Sequence, residues 1–189
     1  MLITGANSGI GKSIASLFAE EGAHLCLIAS RMSGNGGITL SGGEPLSQVR
    51  LAVKVLQTCR ARVINTVVET CGYGPWHELS RLASLTDLIF YDLKHMDAKT
   101  HLNLTGAENC LILENLRLLQ RKSCPIIVRV PVVPGINDTT ENIRSTARYV
   151  KRLQRVIGIE LLPYHALGRS KYKKLGPKYA LNVICSPTV

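Results

Sequence analysis

From Gly37 onward, short β-branched runs alternate with stretches whose apolar residues recur every three or four positions, and this alternation constrains the fold most. Ile38–Leu40 reads as a strand, and Val49, Val53 and Leu56 lie on one face of the helix that follows. Val63–Val68 is the next strand; Trp76, Leu79 and Ala83 mark a short helix, and Asp87–Tyr91 a third strand. A polar stretch, Met96 to Glu108, precedes a helix with Ile112, Leu116 and Leu119 on one face. Pro125 introduces the strand Ile126–Val130. Asp138 with Glu141 three positions on predicts a capping box, opening a helix buried through Ile143, Ala147 and Val150. Ile157–Leu162 is the last strand. Repeated β-α units with right-handed crossovers give an α/β protein with a parallel sheet, open or curled toward a barrel.

Upstream, Leu2–Thr4, a glycine loop, a helix burying Ile14, Leu17 and Phe18, and Leu25–Ala29 make a Rossmann-like first βαβ unit. Its loop glycines open a helix, where unpaired N–H groups attract phosphate. Thr4-Gly5-Ala6-Asn7-Ser8-Gly9-Ile10-Gly11 resembles the T-G-x-x-x-G-I-G fingerprint of the short-chain dehydrogenases. The resemblance implies an NAD(P) half-site at Gly5, Gly9 and Gly11, with Arg31 placed to accept a 2′-phosphate. It ends near Arg31: none of the six tyrosines has a lysine four residues on, as the family's catalytic Tyr-x-x-x-Lys requires. Met32–Gly36 is a sharp break in composition and reads as a junction.

Ligands of parallel α/β folds bind outside the carboxyl ends of the strands. Polar groups of this chain collect there: Ser41-Gly42-Gly43-Glu44, Glu69-Thr70, Asp92 with Lys94 and His95, Arg129, and Tyr164-His165. The Gly42-Gly43 pair lets a ligand approach bare main chain, and Pro45 suits the first turn of a helix.

Several of these segments carry a second, broader resemblance. Gly37-Ile38-Thr39-Leu40-Ser41-Gly42-Gly43-Glu44-Pro45-Leu46, Glu69-Thr70-Cys71-Gly72-Tyr73 and Tyr91-Asp92-Leu93-Lys94-His95-Met96-Asp97 occur in that order. Leu104-Thr105-Gly106, Arg129-Val130-Pro131, Pro134-Gly135-Ile136-Asn137-Asp138 and Leu161-Leu162-Pro163-Tyr164-His165 follow. Together they resemble the activating enzymes of glycyl radical enzymes, the pyruvate formate-lyase activase group of the radical S-adenosylmethionine superfamily. The resemblance implies a partial TIM-like (β/α) barrel over residues 37–176, after the 1–31 segment and the 32–36 junction, with 177–189 as a tail.

It also implies roles. Gly42, Gly43 and Glu44 would hold the methionine amino group of S-adenosylmethionine, and Lys94 its carboxylate. His165 would reach the ribose or the methionine part. Asp92, with Glu69 and Thr70, would supply polar contacts or hold a monovalent cation. Arg129 would sit near the sulfonium or the incoming glycine loop, or else in a salt bridge to Asp92 or Glu69. The partner would be a glycyl radical enzyme, with a flavodoxin or ferredoxin as electron donor.

The same family uses a four-iron–four-sulfur cluster held by a C-x-x-x-C-x-x-C loop. The six cysteines here are Cys26, Cys59, Cys71, Cys110, Cys124 and Cys185, none with that spacing, so no metal ligand is assigned. The sequence thus reads as a join of two families' segments, with cleavage of S-adenosylmethionine impaired. The alternatives are an NAD(P)-binding oxidoreductase fragment and an inactive chimera. The net charge of +10 does not point to nucleic acid: ten Lys or Arg and one acid fall between Arg144 and Lys178, a charge run that reads as a solvated face. No stretch reaches transmembrane length and no signal peptide is recognisable, so a cytoplasmic protein with reduced thiols is expected.

Overall fold

A computed structural model describes residues 3–4, 26–30 and 37–163, the first two segments by their backbone pairing. The described strands form one sheet in chain order: β1 (Ile3–Thr4), β2 (Cys26–Ser30), β3 (Gly37–Ser41), β4 (Thr66–Thr70), β5 (Leu88–Asp92), β6 (Ile126–Val132) and β7 (Val156–Pro163). The strands β3 to β7 are mutually parallel. Sequential order with parallel pairing puts every right-handed crossover on the same face, so the sheet is a barrel arc. The crossover helices are α1 (Val49–Ala61), α2 (Trp76–Ala83), α3 (Ala98–Thr105), α4 (Cys110–Leu119) and α5 (Thr140–Val150). A 3₁₀ turn, Pro45–Gln48, leads into α1.

The strand residues alternate between two environments. Ile38, Leu40, Val68, Ile89, Tyr91, Ile126, Val128 and Val130 face the helices and join Leu56, Leu79, Leu82, Leu116 and Leu119 in one buried core. Each such side chain contributes about 2 kcal/mol on leaving water. The intervening residues, Ser41, Glu69, Phe90, Asp92 and Arg129, occupy the opposite, concave face. Hydrophobic in one direction and charged in the other, the strands can close their core only with this face turned inward.

Several sequence expectations shift. The strand read as Val63–Val68 begins at Thr66. Val63 and Ile64 instead finish α1: Val63 N–H donates to Arg60 O and Ile64 N–H to Cys59 O, with Val63 at φ 55°. This is a helix-ending motif that usually holds glycine. The polar stretch Met96 to Glu108 contains α3, capped by the Asp97 side chain at Thr100 N–H and stopped by Gly106 at φ 79°. The N-cap of α5 is Thr139, accepting from Asn142 N–H, whereas the Asp138 carboxylate accepts from Gly135 N–H. The buried face of α5 is Asn142, Thr146 and Val150; Ile143 and Ala147 point outward.

The pairing β2–β3 is antiparallel, over five residue pairs from Cys26↔Ser41 to Ser30↔Gly37, and β1 is parallel to β2. The first two strands therefore run against the other five, and β1 heads toward the amino edge of β3. The carboxyl edge is thus built by β3 to β7. The Gly5–Gly11 loop, Arg31, the expected first helix and the 177–189 tail lie outside the described residues. Beyond β6, the strand β7 exposes Ile157, Ile159 and Leu161.

Candidate functional site

At the carboxyl edge four neighbouring strands each contribute one polar side chain to the concave face. Arg129 of β6 donates from Nε to Asp92 Oδ1 at 3.0 Å and from Nη1 to Glu69 Oε1 at 2.8 Å. Ser41 of β3 donates from Oγ to the other Glu69 oxygen. The guanidinium also lies 4.9 Å from the Phe90 ring centroid, so its face is covered as its edge is bonded. One cation thus serves two carboxylates, with side-chain exposures of 14%, 19% and 29% for Arg129, Glu69 and Asp92. Burial raises the Asp92 pKa above its ordinary value, and the adjacent Arg129 only partly offsets it. Of the two arrangements open for Arg129 in the sequence, the salt bridge forms, to both acids at once.

The turn after β3 exposes main chain. Gly42 and Gly43 sit at φ 95° and 57°, backbone that favours glycine, and a Cβ on Gly43 would meet nothing within 4 Å. Glu44 points the other way. Its carboxylate accepts from Leu46 N–H (3.2 Å), Thr70 Oγ1 (2.6 Å), Cys71 N–H (2.9 Å) and Cys71 Sγ (3.0 Å). It latches the glycine turn to the loop after β4, and Thr70 is consumed in the same latch. Burial and the Glu44 carboxylate push the Cys71 thiol up to about 12, so it remains a protonated donor.

That second loop has its own clamp. Gly72, at φ 69°, lies so close beneath Tyr91 that an added Cβ would come within 1.8 Å of the phenol oxygen. Tyr91 Oη donates to Ile112 O at 2.7 Å, and Asn115 Nδ2 of α4 donates to Gly72 O and Gly74 O at 2.7 and 2.8 Å.

Lys94 follows β5 on the same edge and is exposed. His95 Nδ1 accepts from Asp97 N–H and so helps start α3. Of the sequence-assigned residues, Gly42, Gly43, Glu44, Glu69, Thr70, Asp92, Lys94 and Arg129 come to this edge, whereas His165 lies outside the described residues, as do Gly5, Gly9, Gly11 and Arg31. Sequence reasoning gave no role to Asn109, Asn115, Asn137 and Asn142, all at most 5% exposed. The only sequence signal was the place of Asn137 within Pro134–Asp138.

The chain matches the radical SAM superfamily over residues 13–150. It belongs to that superfamily. The match crosses the 32–36 junction and takes in part of the dehydrogenase-like segment. The choline trimethylamine-lyase activating enzyme of Oleidesulfovibrio alaskensis is 42% identical over 149 residues, covering 77% of this chain and 48% of that protein. The pyruvate formate-lyase-activating enzyme of Clostridium pasteurianum is 36% identical over 149 residues, covering 79% of this chain and 62% of that protein. Among solved structures, a domain of pyruvate-formate lyase-activating enzyme from Bacteroides vulgatus superposes with a TM-score of 0.67 at 28% identity. That match covers 82% of this chain and 86% of the domain. The chain spans about half the length of several curated relatives it matches.

Membership of a radical SAM family implies S-adenosylmethionine and a four-iron–four-sulfur cluster. The edge fits the first: bare main chain at Gly42–Gly43, a lysine for a carboxylate, and a polar cluster beside them. It does not fit the second. No group of His, Cys, Asp and Glu among the described residues could hold a metal ion. Burial raises the thiols of Cys59 and Cys124 to about 11. Among the described residues no helix is long and apolar enough to cross a membrane.

Proposed function

We propose that residues 37–176 form the body of a glycyl-radical-enzyme activating protein, with the S-adenosylmethionine site at the carboxyl edge of β3 to β6. The observation that carries the reading is the convergence of the open Gly42–Gly43 turn, exposed Lys94 and the Ser41–Glu69–Arg129–Asp92 network on one edge. Main-chain carbonyls of Gly42 and Gly43 meet the methionine ammonium of the cofactor, and the Lys94 ammonium meets its carboxylate. Glu44, with its carboxylate committed to Thr70 and Cys71, serves by holding that turn in place. Arg129 is fixed over Phe90 by its two carboxylates and so presents a rigid wall to whatever enters the concave face. Asp92, Glu69 and Thr70 set the charge of that wall, and His165 reaches the cofactor's ribose or methionine part.

Within the superfamily the bound cofactor supplies, after one-electron reduction, a carbon radical able to abstract hydrogen. The names of the activating enzymes above support a lyase-type partner enzyme; in this reading the acceptor is a glycine of a partner glycyl radical enzyme, and a flavodoxin or ferredoxin supplies the electron. The 189 residues contain no C-x-x-x-C-x-x-C loop. These residues by themselves bind the cofactor without cleaving it, in a cytoplasmic setting. Calorimetric titration of the purified chain with S-adenosylmethionine tests this: saturable binding is expected, weakened about tenfold or more by Lys94→Ala. Unchanged affinity in that variant rejects the assignment.

A second reading rests on the Thr4–Gly11 motif and treats 1–31 as a short-chain-dehydrogenase-like segment joined at 32–36. Gly5, Gly9, Gly11 and Arg31 then hold an NAD(P) phosphate. Enhanced NADPH fluorescence in wild type, lost in Gly9→Asp, supports it; no enhancement ends it.

A further inference from the structure

Lys94, His95 and Met96 follow β5 without belonging to a strand or helix, yet four of their backbone groups are bonded by buried side chains. Asn137 Nδ2 donates to Lys94 O at 2.8 Å, and Asn109 Nδ2 donates to His95 O and Met96 O at 3.0 and 2.7 Å. Met96 N–H donates to Asn142 Oδ1 at 2.8 Å. The three asparagines come from three places: the loop after β6, the start of α4 and the first turn of α5. They are 5%, 3% and 4% exposed.

The asparagines are also tied to one another and to β6. Asn137 Nδ2 donates a second bond to Pro131 O at 2.7 Å, its Oδ1 accepts from Val133 N–H at 2.7 Å, and its backbone carbonyl accepts from Asn142 Nδ2 at 2.8 Å. One amide therefore spans the end of β5 and the end of β6. Leu93 N–H donates to Arg129 O at 2.9 Å, which fixes the residue before Lys94 to the strand carrying the Arg129 network. An amide suits this place because it offers two donors and an acceptor without charge. An aspartate could not donate to Lys94 O and Pro131 O, and it would bury a charge.

We infer that Asn137, backed by Asn142 and Asn109, is a positioning residue that sets where the Lys94 ammonium stands on the carboxyl edge. This rests on the reading of Lys94 as the carboxylate contact. A general requirement for folding would call for such bonds anywhere in the molecule. Their concentration on three consecutive residues, beside the one lysine assigned to the cofactor, is what points to function. An extended side chain amplifies a shift of its own backbone, so a loose Lys94–Met96 segment would spread the ammonium over several positions.

A double-mutant cycle on the full chain, read as S-adenosylmethionine affinity by calorimetry, tests the inference. Asn137→Ala is expected to weaken binding about tenfold, but to have little further effect in a Lys94→Ala background, because both changes remove the same contact. A structural role alone would give the same loss with and without Lys94, and that result overturns the inference, as does wild-type affinity in Asn137→Ala when Lys94→Ala is weakened. If Asn137→Ala does not fold by its urea transition, Asn109→Ser, which releases only His95 O and Met96 O, takes its place in the cycle. It is expected to weaken binding about threefold, again only when Lys94 is present, and an unchanged affinity overturns the inference. If Lys94→Ala binds as tightly as wild type, the assignment of Lys94 fails first and the positioning role falls with it.

Discussion

At the carboxyl edge of the sheet, Ser41, Glu69, Arg129 and Asp92 are bonded in a chain that crosses four strands. At the amino edge, Asp87 accepts from Thr66 N–H and Oγ1 at 2.7 and 2.9 Å, and Arg60 donates to Ser84 O. Those contacts join adjacent segments, with Thr66 buried and Asp87 and Arg60 exposed, and leave the concave face alone. The carboxyl edge instead uses half-buried charge to link four strands, the Arg129–Glu69 pair passing over β5, which stability alone would not favour. The difference teaches where the fold concentrates polar chemistry: at the amino edge the strand ends use local hydrogen bonds, and at the edge that carries the candidate site they share one network.

The comparison can be broken most severely at Gly72. Gly72→Ala places a methyl group against the Tyr91 phenol on backbone that disfavours it, and a loss of more than about 3 kcal/mol in urea unfolding is expected. A loss below 1 kcal/mol, on the order of an ordinary surface change, would mean that the loop shifts freely and the clamp is unimportant. Arg129→Leu comes next. It leaves Glu69 and Asp92 facing each other without their cation, and about 3 kcal/mol of stability should be lost at pH 7. Much of that loss should be recovered when Glu69→Gln and Asp92→Asn are added, since the uncompensated charges are then gone. The smallest effect belongs to the amino edge and has the opposite sign. Val63 is 92% exposed and held at φ 55°, so Val63→Gly should relieve strain and stabilise by about 1 kcal/mol. A destabilisation would show that the amino edge, too, is tuned for something beyond closure.

How much of this was legible in the sequence depended on the type of signal. Helices α1, α2 and α4 bury apolar residues at helical spacing, so periodicity found them. Helix α3 has only His101 buried, and its spacing is weak; Asp97 and Gly106 at its two ends were the readable cues. In α5 the buried positions are Asn142 and Thr146 ahead of Val150, so the apolar spacing points to their outward neighbours Ile143 and Ala147. Parallel pairing of β3 to β7 followed from the β-α repeat, whereas the reversed direction of β2 did not, since a strand's composition says nothing about which way its neighbour runs. At the candidate site, charged residues at strand ends announced themselves. The asparagines that hold Lys94–Met96 did not, because a neutral amide has the same appearance in a sequence whether it is exposed or, as Asn137 is, bonded three ways inside the protein.

The latch made by Glu44 has a mechanical consequence. It joins the Gly42–Gly43 turn to Cys71, and Asn115 joins the same loop, through Gly72 and Gly74, to a helix on the far face of the sheet. The two loops are therefore coupled through hydrogen bonds, so a displacement of the glycine turn would strain the pair that Asn115 makes from α4.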